Sequence, residues 1–476
     1  MKKKSFFLLV SIVILSILPF VAMAGTIDVQ KGVDGAKKFI TISSDLDIEL
    51  FGHLKSFPHF MDNVDFNSDD TSMDFIFDEN GGMTNESIRN EIRLGLKGKG
   101  ENWDFLIALE SDFTLNKDNG DRIDTGHGDT DGDDFGVEKL NFGYDFGLFK
   151  FSTGWTDKFL DINTGGILYG DDHPFIGFAG KTGSVKWEAL YLIIKDDFDT
   201  SSGTIDENTL DWRAYTLKTF FDVSNFTMAP MYAFSDNDEH NAQVHYIGME
   251  GYGKLGMITP RFEIVYATGD QDAADGKKDV DAWAAYASVE LAVSNALNPY
   301  IGGYYITGDS DSNDDDIEAF NGITNISRYT PTFGLENAII YRYIPALGST
   351  VYSNTTGLLG QAEGYGGLSN GSKADTPGTI MLGLGVKGTI EKISYKAQIM
   401  HFMFEDTGAI EQIYGNKIDD HVGTEFDIQL TYKFNKHFSL GNVYSVFDPG
   451  DGVQDIRGDE YDDTAIMNTV EIIWMF

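Results

Sequence analysis

The sequence predicts an all-β protein, a transmembrane antiparallel β-barrel of about 18 strands, with 16 the nearest other count. Three observations carry that prediction. Segments of ~10 residues alternate apolar and polar side chains, short and long connections alternate along the chain, and no stretch after the N-terminus approaches the ~20 apolar residues of a helical span. A soluble sandwich or propeller would also alternate. Neither has reason to segregate loop length to one end, and no blade repeat is present.

At the N-terminus, Lys2, Lys3 and Lys4 precede the uncharged run SFFLLVSIVILSILPFVAMA. A secretory signal over residues 1–24, cleaved after Ala24, is expected rather than a retained anchor helix. Residues 25–45 are then an N-terminal periplasmic segment and 46–476 the barrel. Loss of the three lysines leaves 32 basic against 75 acidic side chains, which makes nucleic acid an unsuitable partner for the surface. The absence of cysteine excludes disulfides, thiolate metal sites and covalent haem, and no cofactor is expected. An exported chain of this size without a disulfide needs another device to hold it, and a closed sheet is one. With 53 Gly, 35 Phe and 22 Tyr but only 10 Pro, the composition suits strands and turns better than helices.

The strands read clearly. In IRNEIRLGLKG, Ile88, Ile92, Leu94 and Leu96 share one face, with Arg89, Glu91, Arg93 and Lys97 on the other. In TEFDIQLTYKF, Phe426, Ile428, Leu430, Tyr432 and Phe434 alternate with Glu425, Asp427, Gln429, Thr431 and Lys433. Short links fall near 99–101, 145–147, 181–183, 223–225, 254–256, 294–296, 388–390 and 435–437. Long acidic loops are expected near 59–86, 114–135, 158–173, 195–209, 235–242, 269–280, 308–377, 405–423 and 447–463. Such alternation is that of a bacterial outer-membrane barrel, with short periplasmic turns and longer extracellular loops. Aromatic residues flank the short turns, Tyr144, Phe146, Phe149, Phe151 and Trp155 at one and Tyr432, Phe434 and Phe438 at another, as a girdle at a lipid–water interface requires. The chain closes on VEIIWMF, with Ile472, Trp474 and Phe476 expected to face lipid.

The stretches IGMEGYGKLGMITPRFEIVYATGD, GVKGTIEKISYKAQIMHFMF and GTEFDIQLTYKFNKHFSLGNVYSVFDPGD resemble the alginate-export-like group of 18-stranded channels and related Gram-negative porins. The C-terminal strand ending in Phe476 resembles the signal that barrel-assembly machinery reads. These resemblances imply an outer-membrane location, contact with lipid and lipopolysaccharide, passage of small solutes or ions, and, by analogy with porins, a homotrimer.

Candidate pore-lining residues on the polar faces are Arg89, Glu91, Arg93, Lys97, Glu110, Lys150, Lys186, Glu188, Arg213, Arg261, Glu263 and Lys396. Opposed charges at a constriction set ion selectivity; the plainer reading is solvated or paired lumen residues. Loop 308–377 contains the apolar stretch TFGLENAIIYRYI and is expected either to fold into the lumen or over its mouth as a constriction, or to form an external lid or a strand pair of its own. The acidic runs at 128–134 and 308–316 lack the Gly and Glu positions of an EF-hand and read as solvated charge. No HExxH, GxSxG or Walker A motif occurs, so no enzyme is expected. The function expected is passive diffusion of small hydrophilic solutes or ions. The alternatives are export of an acidic polysaccharide and a structural sheath around a periplasmic cytochrome.

Overall fold

A computed structural model describes residues 39–43, 46–64, 66–69, 88–114, 136–195, 211–238, 241–273, 276–311, 313–324, 327–342 and 377–476. The expected signal at 1–24 and the acidic run at 128–134 lie outside the described residues. The barrel strands are β1 (Leu46–Asp62), β2 (Ile88–Lys99), β3 (Trp103–Thr114), β4 (Gly136–Asp145), β5 (Phe149–Trp155) and β6 (Pro174–Thr182). There follow β7 (Val185–Lys195), β8 (Trp212–Val223), β9 (Phe226–Asn237), β10 (Ala242–Gly253), β11 (Ile258–Ala273) and β12 (Gly276–Leu291). The last are β13 (Asn298–Ile306), β14 (Thr379–Ile390), β15 (Ile393–Met403), β16 (His421–Lys433), β17 (Phe438–Pro449) and β18 (Ala465–Met475). Each pairs antiparallel with its sequence neighbour, and β1 pairs with β18 from His53↔Met475 to Asp62↔Ile466, closing an 18-stranded barrel. Closure leaves no long unpaired edge. Below the end of β18, the short strand Phe39–Ser43 takes up the free edge of β1.

Side-chain alternation is inverted relative to a soluble sheet. On β12, Val280, Ala282, Ala284, Tyr286 and Ser288 point inward and are buried, whereas Trp283, Val289 and Leu291 are exposed on the outer face. Leu50, Leu94, Leu217, Ile247, Ile264, Ile301 and Leu382 are likewise large, apolar and exposed. A belt of this kind is stable only in lipid. Ring clusters mark its rims: Tyr144–Phe146–Phe149 and Phe434–Phe438–Trp474 beside the short turns, Tyr191–Tyr215 and Trp283–Tyr305 toward the long loops. On the last strand Trp474 and Phe476 are exposed on the outer face and Glu471 is turned inward, buried. Short turns reverse through positive φ, at Gly183 (63°), Gly256 (68°) and Ser224 (58°).

Two of the connections expected to be long loops are not. Strands β9 and β10 stay paired out to Asn237↔Ala242, and β11 and β12 out to Ala273↔Gly276. Their Asp and Gly density reads as loop, yet polar residues on both faces suit strands that project beyond the membrane as a ribbon.

Candidate functional site

The lumen is filled by two loops from the long-loop end. The first, residues 156–173 between β5 and β6, is closed on itself by the Asp161 carboxylate, which accepts from the amides of Leu168 (2.5 Å) and Tyr169 (3.3 Å). Its Leu160, Leu168 and Tyr169 are fully buried. Its tip meets the wall where Thr164 Oγ1 lies 2.9 Å from Glu250 Oε2 and 2.8 Å from Glu263 Oε2, and where the Gly165 amide donates to Glu263 at 2.9 Å. A Cβ on Gly165 would stand 2.8 Å from the Tyr286 Cβ, so only glycine permits this approach. Lys218, almost fully buried, pairs with Glu250 at 2.5 Å and also donates to the Leu160 carbonyl.

The second is the described part of the long loop after β13: residues 319–324 and 327–341 fold into the barrel rather than out over it. It crosses the first loop through Ile323 N to Leu168 O (2.8 Å) and Gly170 N to Thr324 O (2.9 Å). It then descends toward the short-turn end. Lys387 donates to Pro331 O (2.8 Å), Lys396 to Gly334 O (2.6 Å) and Gln398 to Phe333 O (3.0 Å). The Phe333 ring packs against Tyr300, 5.5 Å between centroids, and lies where a Gly383 Cβ would be, 2.5 Å from Cε1. The chain returns through Asn337 to Glu471 (2.8 Å), and a short helix, α1 (Ile339–Arg342), donates from Ile340 N to Glu425 Oε2 (2.9 Å). Phe333, Leu335, Ala338, Ile339, Ile340 and Tyr341 together bury the apolar stretch visible in the sequence, which drives the loop inward rather than into solvent.

Loop packing leaves the lining unevenly wet. Inward residues of β9 to β12, such as Ala233, Tyr246, Val265 and Ala282, are covered. By contrast Lys97, Asp104, Asn141, Lys150 and Glu188, on β2 to β7, keep part of their surface exposed. The same wall carries most of the charged pairs, buried around Glu91 and Glu110 and half-exposed at Lys150–Asp104 and Lys186–Asp222. Glu91 is shared by His53 (2.5 Å) and Lys55 (2.6 Å), and Arg93 bridges Glu110 and Glu138. Lys139 pairs with Asp157, Lys150 with Asp104 (2.5 Å), Lys158 with Glu188 (4.0 Å) and Lys186 with Asp222 (2.7 Å). Lys186, Glu188, Phe220, Asp222 and Tyr252 line a cavity of about 470 Å³ at the short-turn mouth.

The candidate lining residues are thus placed as follows. Glu91, Arg93, Glu110, Lys150, Lys186 and Glu188 belong to the pairs on the wet wall. Lys97 lies 4.7 Å over the Phe51 ring, Arg261 points inward across from Tyr252 and Ser288, and Glu263 and Lys396 hold the two loops. The Arg89 side chain lies outside the described residues. Arg213 is corrected: it shares its face with Tyr215 and Leu217, not with the inward Ala214, Thr216 and Lys218, and it pairs with Asp211. At the outer end of β8 the guanidinium reaches beyond the apolar belt, so an outward charge is tolerated. His53, Lys55, Glu138, Lys218, Glu250 and the buried residues Glu425 and Asp427 line the lumen as well. The sequence signal for them is their place on the polar face of an alternating strand.

Two groups of carboxyl and imidazole ligands come within 4.8 Å of one another, His53–Glu91–Glu110 and Glu138–Asp157–Asp172. Lys55, Arg93 and Lys139 already sit among them, so these are ion-pair networks rather than a metal ligand set. In the second, burial, then the charge of Glu138 and the neighbouring Asp171, pushes the Asp172 pKa up to about 9. Along 308–316 the carboxylates cap their own turns, Asp309 accepting from Asp311 N and Asp311 from Asn313 N, both at 3.0 Å.

No protein-family model and no curated protein matches the chain. The fold does match solved structures. The BenF-like porin from Pseudomonas fluorescens Pf-5 superposes with a TM-score of 0.51 at 12% identity, covering 92% of this chain and 99% of that one. Pseudomonas aeruginosa OpdK, solved with vanillate, gives 0.52 at 9% identity over 90% and 98% of the two chains. Pseudomonas aeruginosa OccK2 (OpdF), solved with glucuronate, gives 0.51 at 11% identity over 90% and 98%. The chain therefore has the fold of the outer-membrane porins, a closed 18-stranded barrel.

Proposed function

We propose that the protein is a bacterial outer-membrane porin that lets small hydrophilic solutes diffuse through a narrowed lumen, with no catalytic step. The observation that carries this reading is the pair of inward loops, fastened to one side of the wall and leaving a charged, partly wet strip on the other. Size is limited by the loops and selection is made by the paired charges of the strip. Neighbours of the same fold hold vanillate and glucuronate, both small carboxylates, and solutes of that size and charge are the first to test. A lumen packed with Phe333, Leu335 and Tyr169 weighs against a polysaccharide export channel and against a sheath around another protein.

The same reading has the outer face meet lipid and lipopolysaccharide. Assembly machinery takes up the strand ending in Trp474 and Phe476, and the barrel associates as a homotrimer, which chemical crosslinking in native membranes tests. The function itself is tested by liposome swelling with the refolded, full-length protein. Glucuronate-sized solutes should enter and oligouronates should not. Exclusion of both, or entry of both at equal rates, would overturn the reading.

A further inference from the structure

Lysines turned into the lumen mostly pair with carboxylates, as Lys55, Lys139, Lys150, Lys186 and Lys218 do. Two lysines at the short-turn end do not. Lys392, in the turn between β14 and β15, and Lys436, in the turn between β16 and β17, are exposed and have no carboxylate partner among the described residues. The acidic groups closest to them in the chain or at the neighbouring strand end are Glu391 and the terminal carboxylate of Phe476. Neither pairs with a lysine among the described residues, and the Phe476 carbonyl oxygen accepts from Gly52 N at 3.1 Å.

Both lysines stand at the edge of a row of outward rings. Tyr432, Phe434, Phe438 and Trp474 follow one another with centroids 4.5, 5.1 and 5.8 Å apart, and Phe434 and Trp474 are exposed on the outer face. Lys392 Nζ donates to the Phe434 carbonyl at 3.0 Å, which fixes it beside the row and leaves two of its three N–H donors free. The two turns touch, since Lys433 N donates to Lys392 O at 3.1 Å. The second turn is held in shape by the Asn435 side chain, which accepts from His437 N (2.7 Å) and Phe438 N (3.1 Å), and by His437 Nδ1, 2.8 Å from Met475 O. Lys436 is thereby presented from a fixed backbone, so little ordering is needed when an anion binds.

We propose that Lys392 and Lys436, together with this ring row, form a binding site for an anionic glycerophospholipid in the leaflet at the short-turn end. The rings lie at the depth of the glycerol and upper acyl chains, and the lysines just beyond them lie at the depth of the phosphodiester. A zwitterionic headgroup brings its own ammonium to the place the lysines occupy, whereas an anionic one does not, so the pair discriminates between them. Rings alone would not: Tyr144, Phe146 and Phe149 form a similar cluster around Asp145, whose charge repels the same headgroup. The inference names a lipid class for an outer face that the porin reading already sets in lipid, and it does not require the lumen to conduct.

The chain has no cysteine, so Leu440→Cys, exposed on the outer face of β17 two residues from Phe438, takes a bimane label beside the row without a competing thiol. The full-length protein is refolded into phosphatidylcholine liposomes that carry nitroxide-labelled phosphatidylglycerol or, at the same mole fraction, nitroxide-labelled phosphatidylcholine. The ratio of quenching by the two lipids gives their relative association at the label. At low salt it should favour phosphatidylglycerol by about fivefold for each lysine. Lys392→Gln with Lys436→Gln, both on exposed turns, should bring the ratio to about one, and Leu148→Cys beside Asp145 should show no such preference. Equal quenching by the two lipids at position 440, a preference that persists in the double variant, or the same preference at position 148 overturns the site. Liposome swelling on the same samples keeps the two readings apart, since a lipid preference without solute entry supports the site and sinks the channel reading.

Discussion

At the scale of the residue, the lumen shows what a charged side chain needs in order to be buried. Arg93 is the only cation bridging Glu110 and Glu138 among the described ion pairs, and all three are largely covered. Arg93→Ala would leave Glu110 without its cation and Glu138 with only Lys139, at 3.9 Å, and the expected loss is about 3 kcal/mol, the lower end of the cost of breaking a buried pair. A lowered midpoint of heat-modifiable migration on gels would show it, and an unchanged midpoint would mean that the network is hydrated and weak. Asp172 gives a pH dependence with a definite sign. Its pKa is raised from 3.8 to about 9 by burial, so the folded state binds the proton more tightly than the unfolded one. The stability it contributes is complete below about pH 4 and declines as pH rises toward about 9. Asp172→Asn should remove that decline, measured as the folded fraction against pH in a fixed concentration of denaturant.

At the scale of the element, the strands were legible because a two-residue period leaves little freedom: once Ile92, Leu94 and Leu96 face lipid, Arg93 and Lys97 must face inward. Arg213 runs against that rule: the period set by Tyr215 and Leu217 turns it outward, while its charge, next to an apolar Trp212 at the strand end, suggests the lumen. The interior pairs were less legible. Which cation meets which carboxylate depends on register between strands far apart in sequence, as for Lys218 on β8 and Glu250 on β10. Loop 156–173 gave only a weak signal of folding inward, since its apolar residues come as the short runs Phe159–Leu160 and Ile167–Tyr169 between acidic and glycine residues. The stretch around Phe333 gave a stronger one, and it sets the next prediction. Phe333→Ala removes a fully buried ring and should loosen the second loop by about 3–5 kcal/mol while the barrel, held by its strand ladders, stays folded. Single-channel conductance should rise with the gel migration of the folded barrel unchanged. Gly383→Val should act alike, because its side chain would occupy the place of the ring.

At the scale of the whole molecule, a formal charge of −40 invites the conclusion that the pore selects cations, and the distribution of that charge argues for a condition on it. Much of the excess lies in acidic loop segments such as 308–316, whereas the wet wall of the lumen pairs nearly every carboxylate with Lys or Arg. The two sources of field are screened differently. Charge on exposed loops acts over a Debye length of about 10 Å at 0.1 M salt and only about 3 Å at 1 M, while groups within a narrow, low-dielectric passage are screened far less. The reversal potential under a fixed salt ratio should therefore indicate cation preference at low ionic strength and move toward zero, or past it, near 1 M. Neutralising 309, 311, 314, 315 and 316 together should reproduce the high-salt value at low salt. If the preference instead holds at 1 M and survives that substitution, the selecting charges are in the lumen, and the carboxylates there exceed the cations that now pair with them.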